Sequence, residues 1–169
     1  YFDGGGVTLS GGEPTLQFEA VKAVLSGLRE RAIHTSIETN GMHVRLPELF
    51  PLIDLLVMDC KHTDTAKHQA VTGGPNRLAL SNLAAAFVSH PNLLVRTPLI
   101  HGFNDDDAAL ESFRGFYKRF DTRHARFEFL RYHAYGAVKW AQCGKPYAMR
   151  DADVPEDTRV RFEQALRAD

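Results

Sequence analysis

Apolar and polar positions along the 169-residue chain switch repeatedly between a period of two and a helical period. Val7 to Ser10 reads as a short buried strand, closed by Gly11-Gly12 and followed by Glu13 and Pro14, a residue suited to the first helical position. Val21, Val24, Leu25 and Leu28 recur at helical spacing up to about Arg31 and predict an amphipathic crossover helix. Thr35 to Thr39 predicts a second strand closed by Asn40-Gly41, and Leu46 to Pro51 a short proline-bounded helical piece. Ile53 to Met58 is apolar apart from Asp54, as in a strand buried on both faces of a parallel sheet. Thr72-Gly73-Gly74-Pro75 predicts a loop, followed by a helix whose stripe is Leu80, Leu83, Ala84 and Phe87. Leu93 to Ile100 is a fourth strand, with Pro98 demoting its second half to a strand end or bulge because it has no N–H to donate. Asn104 to Asp107 opens a helix running to about Phe120, Arg126 to Tyr132 is a fifth strand ending at His133 and Gly136, and a last helix starts near Glu156.

Five strands joined by crossovers of roughly 20 to 40 residues predict a parallel α/β sheet with right-handed connections. Glu13, Glu38, Asp59, Lys61 and His133 all fall at C-terminal strand ends, which in α/β barrels form the active-site face. A hydrophobic content of 44% over this length suits one domain, 1–169, with a real core. The net charge of -1 gives no basic footprint for nucleic acid. Apolar runs such as Leu55 to Met58 are too short to span a bilayer, so no membrane partner and a cytoplasmic location are expected. Cys60 and Cys143 stand far apart, which excludes a secreted disulfide framework and offers no paired metal-ligand spacing. Tyr1, rather than Met, stands a few residues before the first strand, and the expectation is a chain that begins partway into its fold.

The candidate chemistry starts at Gly11-Gly12-Glu13. Glycines let backbone N–H and C=O groups lie against a small ligand, and the adjacent carboxylate suits a cationic amine; a plain tight turn is the alternative. No Gly-Lys-Ser/Thr follows Gly11, so this is not a phosphate-cradling loop, and Thr8 occupies the position where a nucleophile elbow around Ser10 needs glycine. Asp59 and Lys61 share one face of a strand end, either as ligand contacts or as a structural ion pair. His133 is open between a ligand contact and an ordinary capping residue. Asp105-Asp106-Asp107 is assigned to helix capping, and His62, His68 and His101 to the surface. Cys60 is expected as a filler inside a buried strand.

The string Gly4 to Pro14 resembles the Gly-Gly-Glu-Pro segment of radical S-adenosylmethionine enzymes, specifically the activating enzymes of glycyl radical enzymes. Four further stretches resemble the same family in order: Ile37 to Gly41, Met58 to His62, Pro98 to Asp105 and Leu130 to His133. The resemblance implies a partial (β/α)6 barrel whose first strand and cluster loop are missing here. It implies S-adenosylmethionine held by Gly11, Gly12, Glu13, Glu38, Asp59, Cys60, Lys61 and His133, with a monovalent cation at Glu38, Thr39 and Asp59. It further implies a [4Fe-4S] cluster, whose Cys-x3-Cys-x2-Cys ligands are absent from this chain and expected upstream of Tyr1. The implied reaction generates a 5′-deoxyadenosyl radical and installs a glycyl radical on a partner enzyme, with an electron donor such as flavodoxin or ferredoxin. Two other readings stand beside it: a lyase using Lys61 as a Schiff-base lysine, and a non-catalytic module that binds S-adenosylmethionine.

Overall fold

The computed structural model describes residues 5–147, 149 and 151–167. Its frame is a five-stranded, all-parallel sheet in simple sequential order. The strands are β1 (Gly6–Leu9), β2 (His34–Thr39), β3 (Leu55–Asp59), β4 (Leu93–Leu99) and β5 (Ala125–Arg131). Between and after them run α1 (Phe18–Glu30), α2 (Thr65–Thr72), α3 (Arg77–Ser89), α4 (Asp107–Tyr117), α5 (Ala137–Gln142) and α6 (Glu156–Arg167). A 3-10 turn at Pro14–Gln17 leads into α1, and another at Leu46–Leu52 stands where the proline-bounded helical piece was expected.

The sheet's register sorts its side chains onto two unlike faces. Ile37, Leu56 and Leu93 lie in one row, Met58, Val95 and Phe127 in the next, and Thr97 beside Phe129 beyond them. This is the core face, closed by Val21 and Leu25 of α1, Leu83 and Phe87 of α3, Phe113 and Tyr117 of α4 and Phe162 of α6. Because strand side chains alternate, the intervening positions all face the other way. They are Thr8, Ser36, Glu38, Val57, Asp59, Leu94, Arg96, Arg126 and Glu128, a largely polar surface with only Val57 deeply buried among its hydrophobic members. One face packs helices and the other stays largely polar.

Several details depart from the pattern-based expectations. The strand expected to be buried at Val7 is an edge strand, half exposed along its length, with β2 as its partner in the sheet. Val24 is 46% exposed, since the buried stripe of α1 is Phe18, Val21 and Leu25. The stripe of α3 keeps the expected Leu83 and Phe87 but takes Ala79 and Ala86 in place of Leu80 and Ala84, with polar Asn82 inside it. Ile53 and Asp54 precede β3: the Asp54 carboxylate accepts from the Thr35 backbone N–H at 2.8 Å, so a residue that looked like an interruption fastens the start of β2. Pro98 does not end β4, whose ladder with β5 continues through Leu99. Its side of the strand faces β3, which has already ended; the Pro98 carbonyl instead accepts from Asn104 at 2.9 Å, so no ladder donor is lost. Helices α2 and α5 carry too little apolar periodicity to have been expected; neither buries a residue.

Candidate active site

The C-terminal ends of β1, β2 and β3 open onto a cleft of about 390 Å³ lined by Ser10, Gly11, Gly12, Glu13, Glu38, Thr39, Asn40, Asp59 and Lys61. This falls within the few-hundred-Å³ range of small-molecule sites. Gly11 has φ +116°, a conformation that residues with a side chain rarely adopt, and at both Gly11 and Gly12 a Cβ would meet only open space. The glycine pair therefore bares main chain toward the cleft.

Glu13 is held from several directions at once. Its Oε1 accepts from Thr15 N at 3.1 Å, Thr15 Oγ1 at 2.6 Å and Thr39 Oγ1 at 2.8 Å, and its Oε2 accepts from Asn40 N at 2.8 Å. The carboxylate thus ties the loop after β1 to the end of β2 and caps the turn into α1. Lys61 Nζ lies 3.0 Å from Asp59 Oδ2, both about one-third exposed. Glu38 Oε1 accepts from Arg96 Nη1 at 2.9 Å, and Arg96 Nε donates to Glu128 Oε2 at 2.6 Å.

Buried asparagines hold the rim. Asn104, fully buried, donates to the carbonyls of Lys61 at 2.8 Å and Pro98, and accepts from Ile100 N at 2.8 Å. Asn82 clamps the carbonyls of Gly41 and His43, and Asn76 donates to the His62 carbonyl at 2.7 Å. Periodicity gave no sign of these roles; the one available signal was a polar residue on the apolar stripe of α3. Asp106 caps α4 by accepting from Ala109 N, Asp105 accepts from Gly102 N, and Asp107 pairs with Arg161. The aspartate run thus serves the local backbone and a neighbouring helix.

Not every residue expected at the site reaches it. Cys60 is 3% exposed and packs in the core, where burial pushes its thiol up to about 12; its N–H donates to Arg96 and its C=O accepts from Thr97. It lines a second, smaller cavity beside the cleft but not the cleft itself. His133 stands exposed beyond β5, stacked on Tyr135 with ring centroids 4.3 Å apart, outside the cleft lining. His62, expected on the surface, is 1% exposed between Phe103 and Phe113, and burial holds its imidazole below the usual histidine range. Gly4, the start of the glycine-rich string, lies outside the described residues.

The parallel sheet places a bare glycine turn and charged strand ends around one cleft. The radical SAM superfamily model matches residues 2–113, and the chain belongs to that superfamily. The (2S)-3-sulfopropanediol sulfolyase activating enzyme of Bilophila wadsworthia (strain 3_1_6) is 35% identical, over 98% of this chain and 55% of its own length. The pyruvate formate-lyase-activating enzyme of Staphylococcus aureus (strain USA300) is 33% identical, over 95% of this chain and 68% of its own. In structure, a domain of pyruvate-formate lyase-activating enzyme from Bacteroides vulgatus ATCC 8482 superimposes with a TM-score of 0.78, at 26% identity, over 97% of this chain and 94% of that one.

Superfamily membership implies S-adenosylmethionine and a [4Fe-4S] cluster. The cleft's donor set fits the first: exposed main chain and carboxylates for an ammonium and hydroxyls, and Lys61 for a carboxylate. The described residues do not fit the second. Neither buried Cys60 nor exposed Cys143 has the neighbours a cluster needs, and no group of three or more His, Cys, Asp or Glu side chains is placed to hold a metal among them.

Proposed function

We propose that this chain is the S-adenosylmethionine-binding part of a glycyl-radical-enzyme activating enzyme. The observation that carries this is the Gly11–Lys61 cleft on the same sheet that superimposes on the Bacteroides activating-enzyme domain. In this reading the main chain at Gly11, Gly12 and Glu13 receives the ligand's amino group, while Lys61, steered by Asp59, balances its carboxylate. Glu38 and Asp59 accept from its hydroxyls. Thr39 serves the site by orienting Glu13, to which its hydroxyl donates. A monovalent cation at Glu38, Thr39 and Asp59 would have to share carboxylates already paired with Arg96 and Lys61. S-adenosylmethionine, held by these residues, would supply radical hydrogen-abstraction chemistry; the cleft's own residues would orient it and exclude water.

The partner in this proposal is a glycyl radical enzyme, the electron donor a flavodoxin or ferredoxin, and the compartment the reducing cytoplasm, where free Cys60 and Cys143 persist. One hydrophobic cluster reaches from Phe18 to Phe162 and supports a single domain over 1–169. Among the described residues no helix is long and apolar enough to cross a membrane. The Schiff-base alternative is not favoured, because Lys61 is ion-paired and one-third exposed rather than desolvated and unpaired.

Isothermal titration with S-adenosylmethionine tests the reading. Saturable binding that Gly12→Val abolishes while the circular dichroism spectrum is retained is the expected result. Binding unaffected by that substitution would remove the cleft from the assignment.

A further inference from the structure

Arg96 lies on β4, two strands away from Glu38 on β2, yet its guanidinium crosses over β3 to reach it. Directly beside Arg96 in the register is Asp59, which pairs with Lys61 instead. Arg96 and Lys61 thus divide the carboxylates at the ends of β2 and β3 between them. Each carboxylate has one oxygen tied, Glu38 Oε1 to Arg96 and Asp59 Oδ2 to Lys61, and neither Glu38 Oε2 nor Asp59 Oδ1 has a hydrogen-bond partner among the described residues.

Arg96 is itself absent from the cleft lining, so it meets Glu38 from outside the ligand space. It is held in turn by Glu128 of β5, its register neighbour, through Nε at 2.6 Å. With Nε committed to one carboxylate and Nη1 to another, the planar guanidinium has little freedom to turn. Lysine, a single flexible ammonium, cannot hold both partners in that fixed geometry.

We infer that Arg96 is a positioning residue: braced by Glu128, it fixes Glu38 so that Oε2 is presented to the hydroxyl-bearing part of the ligand. This rests on the cleft binding S-adenosylmethionine as proposed above. Without Arg96, the Glu38 carboxylate would be free to rotate out of the ligand-accepting orientation, and a binding group must be held within about 0.5 Å to be effective.

The test is calorimetric titration of S-adenosylmethionine, with S-adenosylhomocysteine as a second probe, into wild type, Arg96→Gln, Arg96→Lys, Glu38→Gln and the Arg96→Gln/Glu38→Gln double variant, alongside thermal unfolding of each. Arg96→Gln should weaken binding about tenfold, the scale of one charge-assisted hydrogen bond. Arg96→Lys should recover part of the loss. The double variant should bind no worse than Glu38→Gln alone, since Arg96 acts only through that carboxylate. A structural role would instead lower the melting temperature and add to the Glu38 effect. Wild-type binding with an unchanged Arg96→Gln, or fully additive losses, overturns the positioning role while leaving the cleft assignment intact. No wild-type binding of either probe overturns the cleft assignment and the inference with it.

Discussion

Glu13→Gln isolates how the site is held from how it binds, because the charge changes and the size does not. The carboxylate accepts four hydrogen bonds, and an amide nitrogen in place of either oxygen would face a donor. A loss of roughly 2 kcal/mol of stability is expected, measured by urea unfolding. His62 and His90 are the residues to watch as pH falls. Both are buried and held below the usual histidine range by desolvation, and His90 already uses its ring against the Ile53 carbonyl and Asn92 N–H. Unfolded histidine titrates near pH 6.5, so below that value the unfolded chain binds more protons than the folded one and stability falls. Above pH 6.5 this contribution is complete and flat. Urea midpoints at pH 7.5 and 5.5 should therefore differ, with the lower stability at 5.5; equal midpoints would contradict the burial of both rings.

Among the elements, the loops at the C-terminal rim depend on buried side-chain amides rather than on apolar contact. Asn104 satisfies two carbonyls and one N–H contributed by the ends of β3 and β4, including the backbone of Lys61. Asn104→Ala leaves those groups without their partner and should cost roughly 3 kcal/mol. It should also loosen Lys61 and so weaken ligand binding beyond what unfolding accounts for. Chemical denaturation paired with titration of the still-folded fraction separates the two effects. Pro98 shows the same dependence from another side: proline is tolerated within β4 because β3 stops short and Asn104 takes over the carbonyl.

For the molecule as a whole, a ligand that binds only the folded state should raise its stability. At a concentration one hundred times its dissociation constant, S-adenosylmethionine should add about 2.7 kcal/mol, seen as an upward shift of the thermal midpoint that Gly12→Val lacks. Anaerobic reconstitution of the 169-residue chain with iron and sulfide should leave no stable [4Fe-4S] absorbance, because Cys60 is in the core and Cys143 is elsewhere on the surface. A stoichiometric cluster would show that the described residues can converge in a way this structure does not contain.

The parallel sheet was legible because periods of two and 3.6 survive in any tertiary context, and the cleft was legible because glycines, carboxylates and a lysine cluster at strand ends whatever the packing. Gly11, Gly12, Glu13, Glu38, Asp59 and Lys61 do meet on one cleft, as their places at the ends of three consecutive strands required. Local pattern could not say which face of each strand would be covered, since alternation gives two faces without naming the inner one. That choice put Arg96 over β3 and buried His62 between two phenylalanines, whereas Cys60 took the core place expected of a filler. Nor could it say what a charge would be tied to: Glu13 and Thr39 lie 26 residues apart in sequence, and Arg96 and Glu38 lie 58 apart. Sequence determined the elements and the chemical groups at their ends; the tertiary structure alone decided which carboxylate lines the cleft and which cation holds it, because those pairings exist only across strands that the chain brings together on folding.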